Sequence, residues 1–190
     1  MTAVSIIGTG NMGSAIAALA QQGGHDVQSI AHASDEAVTG DVVVLAVPYP
    51  ALGEIAEARR EQLAGKVVVD ITNPLDFETF DALVVPADGS AASELAAALP
   101  DAHVVKAFNT NFAATLASGT VGGQPTTVLL AGDDADAKAR VAGVVADAGL
   151  SPVDAGGLRR ARELEALGFL QLTLAVAEKA SWTGGFALRD

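Results

Sequence analysis

Residues 6–15 read Ile6-Ile7-Gly8-Thr9-Gly10-Asn11-Met12-Gly13-Ser14-Ala15. The pattern G-x-G-x-x-G stands directly after the apolar run 3–7 and directly before an alanine-rich stretch of helical character, residues 14–22, that Gly23-Gly24 ends. In that position each glycine has a physical task. Gly8 permits a tight turn, Gly10 lets the backbone approach a diphosphate, and Gly13 lets the helix lie close on the strand. The N–H groups that open the helix then face the phosphates. Pattern and context together predict the first turn of a dinucleotide-binding βαβ unit.

Outward from this turn, short apolar runs alternate with stretches of helical length. Strands are expected at 26–31, 41–47, 66–71, 104–108, 126–131 and 151–155, and helices at 51–63, 90–99, 134–148 and 160–179. The runs Asp41-Val42-Val43-Val44-Leu45-Ala46-Val47 and Lys66-Val67-Val68-Val69-Asp70-Ile71 are apolar nearly throughout, as in strands covered on both faces. Strict alternation predicts an α/β fold: a Rossmann-type, doubly wound, mainly parallel sheet. No linker or repeat divides the chain, so residues 1–190 are expected to form a single domain, with 160–190 as a C-terminal helix and tail.

The bulk numbers bound the function. Half of the 190 residues are apolar, enough for a sizeable core. The formal charge is −12, with no basic stripe to offset it. Nucleic acid and anionic membranes are therefore not expected as partners. Cysteine is absent, which excludes disulfides and thiolate chemistry. No apolar run is long enough for a membrane span. The opening residues read as a strand and not as a leader peptide, and a cytoplasmic setting is the expectation.

The end of the second strand tests which nucleotide binds. Readers of NAD place an acid there, about 20 residues after the loop, on the ribose 2′-hydroxyl. This chain has Ser29-Ile30-Ala31-His32-Ala33-Ser34, with no carboxylate before Asp35. That removes a repulsion against a 2′-phosphate, to which His32 and Ser34 can donate hydrogen bonds, so NADP(H) is the expected cofactor. No Arg or Lys stands nearby in sequence, and an ordinary exposed loop residue is the alternative reading of His32.

Ligands of open parallel sheets bind beyond the carboxyl ends of the strands. Three such ends carry polar or turn-forming residues: Val47-Pro48-Tyr49-Pro50, Thr72-Asn73-Pro74-Leu75 and Lys106-Ala107-Phe108-Asn109-Thr110-Asn111. Uncharged amides and hydroxyls there suit a carboxamide or ring carbonyl, and their convergence predicts a shared site. The three histidines, His25, His32 and His103, have no metal-ligand spacing, and His25 and His103 read as structural. Asp70 reads as a hydrogen-bonding carboxylate ahead of a base. No acid–base pair stands out, which suits hydride transfer, a reaction governed by proximity and orientation. In the last helix Leu164, Leu167, Leu170, Leu174 and Ala177 recur at helical spacing, with Gly168 allowing close packing. This stripe reads first as core and second as a homodimer contact.

The loop 6–13, the strand ends AVPYPAL and DITNPL, the segment KAFNTNFAATL and the late stretch from AGDDADAKARV to DAGGLRRARELE resemble the NADPH-dependent coenzyme F420 reductases, or F420-dependent NADP oxidoreductases. The resemblance spans essentially the whole chain. It implies a Rossmann domain with a small C-terminal extension, often dimeric, with NADP on the glycine loop and a deazaflavin against the nicotinamide. Carried over by position, it implies pyrophosphate contacts from Gly8, Thr9, Gly10, Asn11, Met12 and Gly13. It sets Val47, Pro48, Tyr49, Asn73, Pro74 and Asn109 around the nicotinamide. The departure lies at the second strand, where the family commonly has a Ser-Arg pair and a downstream Lys and this chain has His32-Ala33-Ser34. The helix that normally follows is also largely missing.

The expected activity is hydride transfer between NADPH and a small-molecule redox partner, coenzyme F420 or another flavin. The alternatives are an NADPH-dependent reductase or dehydrogenase of a small carbonyl or imine, and a non-catalytic redox sensor.

Overall fold

The structure, a computed structural model, describes residues 1–188. The last two residues of the expected tail, Arg189 and Asp190, lie outside the described residues. A strand Ala3–Ile7 (β1) leads through the glycine loop into the helix Asn11–Gln22 (α1) and the strand Asp26–Ile30 (β2). The chain then returns past β1 to β3 (Val42–Leu45), through a single 3-10 turn to α2 (Leu52–Leu63), and on to β4 (Val67–Asp70). Next come α3 (Ala91–Ala98), β5 (His103–Lys106), α4 (Ala113–Ser118), and the short hairpin β6 (Thr120–Val121) and β7 (Gln124–Pro125). The strand β8 (Thr127–Gly132), α5 (Ala135–Asp147), β9 (Ser151–Gly156) and α6 (Ala161–Val176) complete the order.

Seven strands form one sheet in the order β2-β1-β3-β4-β5-β8-β9. The first five are parallel, whereas β8 pairs antiparallel with β5 and parallel with β9. The mainly parallel Rossmann-type sheet expected from the sequence is therefore the one observed. Alternate residues of the apolar strands divide between its faces. Val42, Val44, Val67 and Val69 pack with Ile16 and Leu19 of α1 and Val141 and Val144 of α5. Val43, Leu45 and Val68 pack with Leu52 and Ile55 of α2 and Leu95 of α3. Period-two burial into two separate cores is why these strands tolerate no polar face.

Several boundaries differ from expectation. The first helix starts at Asn11 and not at residue 14, because Gly10 is extended and caps it, so half the glycine motif lies in the first helical turn. Residues 31–41 contain no helix, as the quick onset of β3 implies. The short helix α4 and its hairpin are additions. Gly119 ends α4 in the left-handed conformation, and Gly122 and Gly123, both with positive φ, turn the hairpin. The stripe of α6 is corrected. Leu164 is 5 % exposed, but Leu170 is 50 % exposed and Ala177 is exposed too. The buried face of α6 runs through Ala161, Leu164, Glu165, Gly168, Gln171 and Ala175. Among the described residues no helix is long and apolar enough to cross a membrane.

Candidate functional site

The glycine loop sits at the carboxyl end of β1, where the Gly8 amide donates to the Ile30 carbonyl (2.9 Å) and ties the loop to the end of β2. Gly8 has φ +114°, and a Cβ there would run into the Ala46 carbonyl behind β3. A Cβ on Gly13 would strike the Gly8 carbonyl. Both glycines are thus fixed by the protein's own packing. Gly10 differs: its φ is −71°, and a Cβ added there would meet no atom within 4 Å. Space above Gly10 is open, at the mouth of a helix whose first turn holds no acid and whose cap offers no side chain. The first N–H groups of α1 have no intrahelical partner and face that space as donors.

Beside it, at the end of β2, His32, Ala33, Ser34 and Asp35 form a pocket of about 330 Å³ with Glu54, Ile55, Ala58, Arg59 and Gln62 of α2. His32 is exposed, and the Ser34 hydroxyl accepts the Glu36 amide (3.2 Å). The cation that local sequence failed to show is present. Arg59, only 6 % exposed, donates to the Glu36 carbonyl (2.8 Å) and to the Ser34 carbonyl. It reaches the loop from α2, far from it in sequence. The one available signal was an arginine on the otherwise apolar face of α2.

On the other side of the loop lies a cleft of about 460 Å³. Asn11 and Met12 from the glycine loop meet Ile71, Asn73, Phe108, Asn109, Asn111 and Phe112 there, and Gly168, Gln171 and Trp182 close it from the C-terminal segment. Asn73 and Asn109 lock each other: Asn73 Nδ2 donates to the Asn109 carbonyl (2.8 Å), and Asn109 Nδ2 donates to Asn73 Oδ1 (2.9 Å) and to the Leu164 carbonyl (2.8 Å). Phe108, buried with φ +60°, makes the sharp turn that aims Asn109 this way, a conformation unfavourable for a bulky residue and held by its surroundings. Gly168 admits α6 to this corner, since a Cβ would collide with Asn73 Oδ1 and approach the Asn109 carbonyl to 2.9 Å. Asn109 Oδ1 is left buried without a partner among the described residues.

The structure therefore gathers Asn11, Met12, Asn73 and Asn109 around one cleft and sets His32 and Ser34 at the far side of the loop. Val47 is buried in the opposite core, Pro48 is exposed, and Pro74 is buried with its carbonyl accepting the Val84 amide (2.8 Å). Tyr49 does not line the amide cleft. Its ring lies between α2 and α3, because its hydroxyl donates to Glu94 Oε2 (2.7 Å). Burial and then the Glu94 carboxylate push its phenol up to about 12.

Beneath the cleft is an ionic cluster that the sequence reading missed. Lys106 Nζ lies 2.8 Å from Asp70 Oδ2, 2.7 Å from Glu165 Oε1 and 2.6 Å from the Thr72 carbonyl. Asp70 also accepts the Thr72 amide, the structural use expected of it, and Glu165 accepts the Ala91 and Ala92 amides at the start of α3. Burial holds the Glu165 carboxyl above its ordinary range, with Lys106 opposing. A lysine closing the apolar run His103-Val104-Val105-Lys106 was the available signal, since a buried ammonium requires partners. His25 and His103 meet Asp147 (3.3 Å) and Asp134 (3.1 Å), as structural residues.

Comparison with known proteins places this geometry in context. A family described as NADP oxidoreductase, coenzyme F420-dependent, matches residues 27–74, the span from β2 to the Asn73-Pro74 turn. The F420-dependent NADP reductase of Methanocaldococcus jannaschii is 32% identical over 154 residues, 79% of this chain and 69% of that protein. The metalloreductase STEAP3 of Rattus norvegicus is 37% identical over 137 residues, 70% of this chain but only 26% of its own length. A solved structure from Arthrobacter sp. FB24, assigned as an F420-dependent NADP reductase, superimposes with a TM-score of 0.86 at 26% identity, covering 100% of both chains.

Proposed function

The chain belongs to the coenzyme F420-dependent NADP oxidoreductase family, and on that premise we propose that it binds NADP(H) across the glycine loop and exchanges a hydride with a deazaflavin or flavin seated in the amide cleft. The observation that carries this reading is Gly10, a glycine that neither backbone strain nor internal packing requires, opposite the free amides of α1. The space over Gly10 is open where a Cβ would stand, which leaves room for a diphosphate to approach the backbone, and the helix dipole favours its charge.

The remaining contacts follow the carboxyl edge of the sheet. His32 and Ser34 face the 2′-phosphate, and Arg59 beneath them holds the loop and supplies positive charge. At the cleft wall the locked Asn73–Asn109 pair holds the buried acceptor Asn109 Oδ1, whose chemistry is matched to the N–H of a nicotinamide carboxamide. Held beside Asn73 and Asn109, a reduced nicotinamide would supply a hydride to the second ring, with the accompanying proton drawn from solvent.

The protein's own residues orient and exclude water. The cleft is lined by amides, aromatic rings and aliphatic groups, whereas the charged Asp70, Lys106 and Glu165 are wholly sealed below it. Such a wall acts through proximity and alignment and not through proton transfer. The expected homodimer would use the exposed Leu170 and Val176 of α6, with sedimentation velocity as its test.

The test of the activity is to mix the protein with NADPH and oxidised coenzyme F420, and separately with FMN, and follow nicotinamide absorbance. Oxidation that requires the second ring supports the reading. No oxidation with either acceptor, alongside turnover of a small imine or carbonyl, replaces it with reduction of that substrate. NADPH binding without turnover of any acceptor points to a sensor.

A further inference from the structure

One side chain in the cleft wall has no structural use. Gln171, on the buried face of α6 one turn beyond Gly168, is 3 % exposed, and neither its Oε1 nor its Nε2 has a partner among the described residues. Its polar neighbours do. Glu165 is tied to Lys106 and to the start of α3, and the Leu164 carbonyl receives Asn109. A buried amide with both groups unpaired is costly, and such a group persists where something else satisfies it.

The surroundings define what that is. Gln171 shares the cleft with Phe112 and Trp182, whose ring centroids lie 4.9 Å apart at 54°, an aromatic surface for a flat ring. From the tail, a Cβ on Gly185 would come to 3.6 Å from Gln171 Nε2, so the tail passes beside the amide without bonding to it. A primary carboxamide offers one donor and one acceptor side by side. Its complement is a planar heterocycle whose edge carries a ring N–H next to a ring carbonyl, where two parallel hydrogen bonds form.

Resting on the reading above that a second ring occupies this cleft, we propose that Gln171 is a specificity-determining residue that recognises the N–H/C=O edge of a pyrimidinedione-type heterocycle. The nicotinamide carboxamide carries the same donor and acceptor, but Asn109 Oδ1 already provides for it beside the glycine loop. Gln171 therefore serves the second ring.

The experiment titrates the NADP⁺-loaded protein with 5-deazariboflavin and with its N3-methyl derivative, in which the edge N–H is blocked. Trp182, the single tryptophan of the chain and part of the cleft wall, reports binding by its fluorescence. On the unaltered protein the methyl group is expected to weaken binding about tenfold or more, the loss of one well-formed hydrogen bond. In Gln171→Met, which keeps the volume, the two probes are expected to bind alike while NADP⁺ affinity stays unchanged. Equal binding of both probes to the unaltered protein overturns the inference and leaves the acceptor reading standing, and this arm needs no variant. Full discrimination retained in Gln171→Met overturns it as well. A selective loss of NADP⁺ affinity in that variant assigns the amide to the nicotinamide and overturns it. Binding of neither probe removes this inference together with the acceptor reading.

Discussion

The Lys106 ammonium lies 2.7 Å from the Glu165 carboxylate, and solvent reaches neither side chain. This pair joins the end of β5 to the first turns of α6, while Glu165 also accepts the amides that open α3. The cleft above depends on that junction, because α6 delivers Gly168 and Gln171 to the Asn73–Asn109 corner. Lys106→Met leaves two buried carboxylates facing each other. It is expected to lower unfolding free energy by about 3–5 kcal/mol in urea titration, the cost of breaking one partner out of a buried ion pair. A loss below about 1 kcal/mol would show that the cluster contributes little to holding the helix in place.

The glycines of the loop separate folding from binding. Gly13→Ala drives a methyl group into the Gly8 carbonyl and is expected to destabilise the fold, with a lowered melting temperature. At Gly10 an added Cβ meets no protein atom within 4 Å, so Gly10→Val is expected to keep the melting temperature within a few degrees while weakening NADPH about tenfold or more. Calorimetric titration of folded Gly10→Val checks the point. Unchanged affinity would empty the proposed diphosphate site.

Arg59 is expected to set nucleotide preference. Arg59→Met removes the charge under the His32–Ser34 loop and frees the Ser34 and Glu36 carbonyls. NADPH affinity is expected to fall about tenfold and NADH affinity by much less, as charge-assisted contacts to a phosphate predict. Equal losses for both nucleotides would reduce Arg59 to a support for the loop.

Tyr49 is the single tyrosine of the chain, so tyrosinate absorbance reports it alone. Its phenol is raised from 10.0 to about 12, first by burial and then by Glu94. A raised folded value means that the neutral phenol is the favoured form in the native state. Its stabilising contribution is therefore complete below pH 10 and is lost as pH rises through about 12. Glu94→Gln is expected to bring the titration midpoint down. A midpoint at the ordinary value in the unaltered protein would contradict the Tyr49–Glu94 hydrogen bond.

Gly168→Ala connects α6 to the cleft. The added methyl group has to push Asn73 and the Asn109 carbonyl aside, which disturbs the locked pair. Lower stability together with weaker NADPH binding is the expected result, measured by thermal melts and nucleotide titration. Unaltered binding would show that the Asn73–Asn109 geometry does not matter to the nucleotide.

The sheet was readable because its signals are local. The glycine motif after β1 and the apolar runs of β3 and β4 all lie within a few neighbouring residues, as does the polar turn Asn73-Pro74. The edges of elements were less readable. Residues 11–13 look like loop by composition, yet Gly10 caps the helix early, and α4 rests on packing of Leu116 against the sheet. Tyr49 sits at a strand end as expected, but one hydrogen bond to α3 turns its ring away from the cleft.

The amino-acid order alone determined that this chain is a mainly parallel α/β sheet with a glycine turn after its first strand, because apolar runs and glycine stereochemistry act over a handful of bonds. Only the tertiary structure decided which distant side chains complete the site. Arg59 reaches the β2 loop across 25 positions, and Glu165 reaches α3 across 74. Gln171 is buried, without a partner among the described residues, on the α6 face that carries Gly168 to the Asn73–Asn109 corner. Those relationships arise from helix packing on the sheet, where burial and hydrogen-bond satisfaction are settled jointly by elements far apart in the chain.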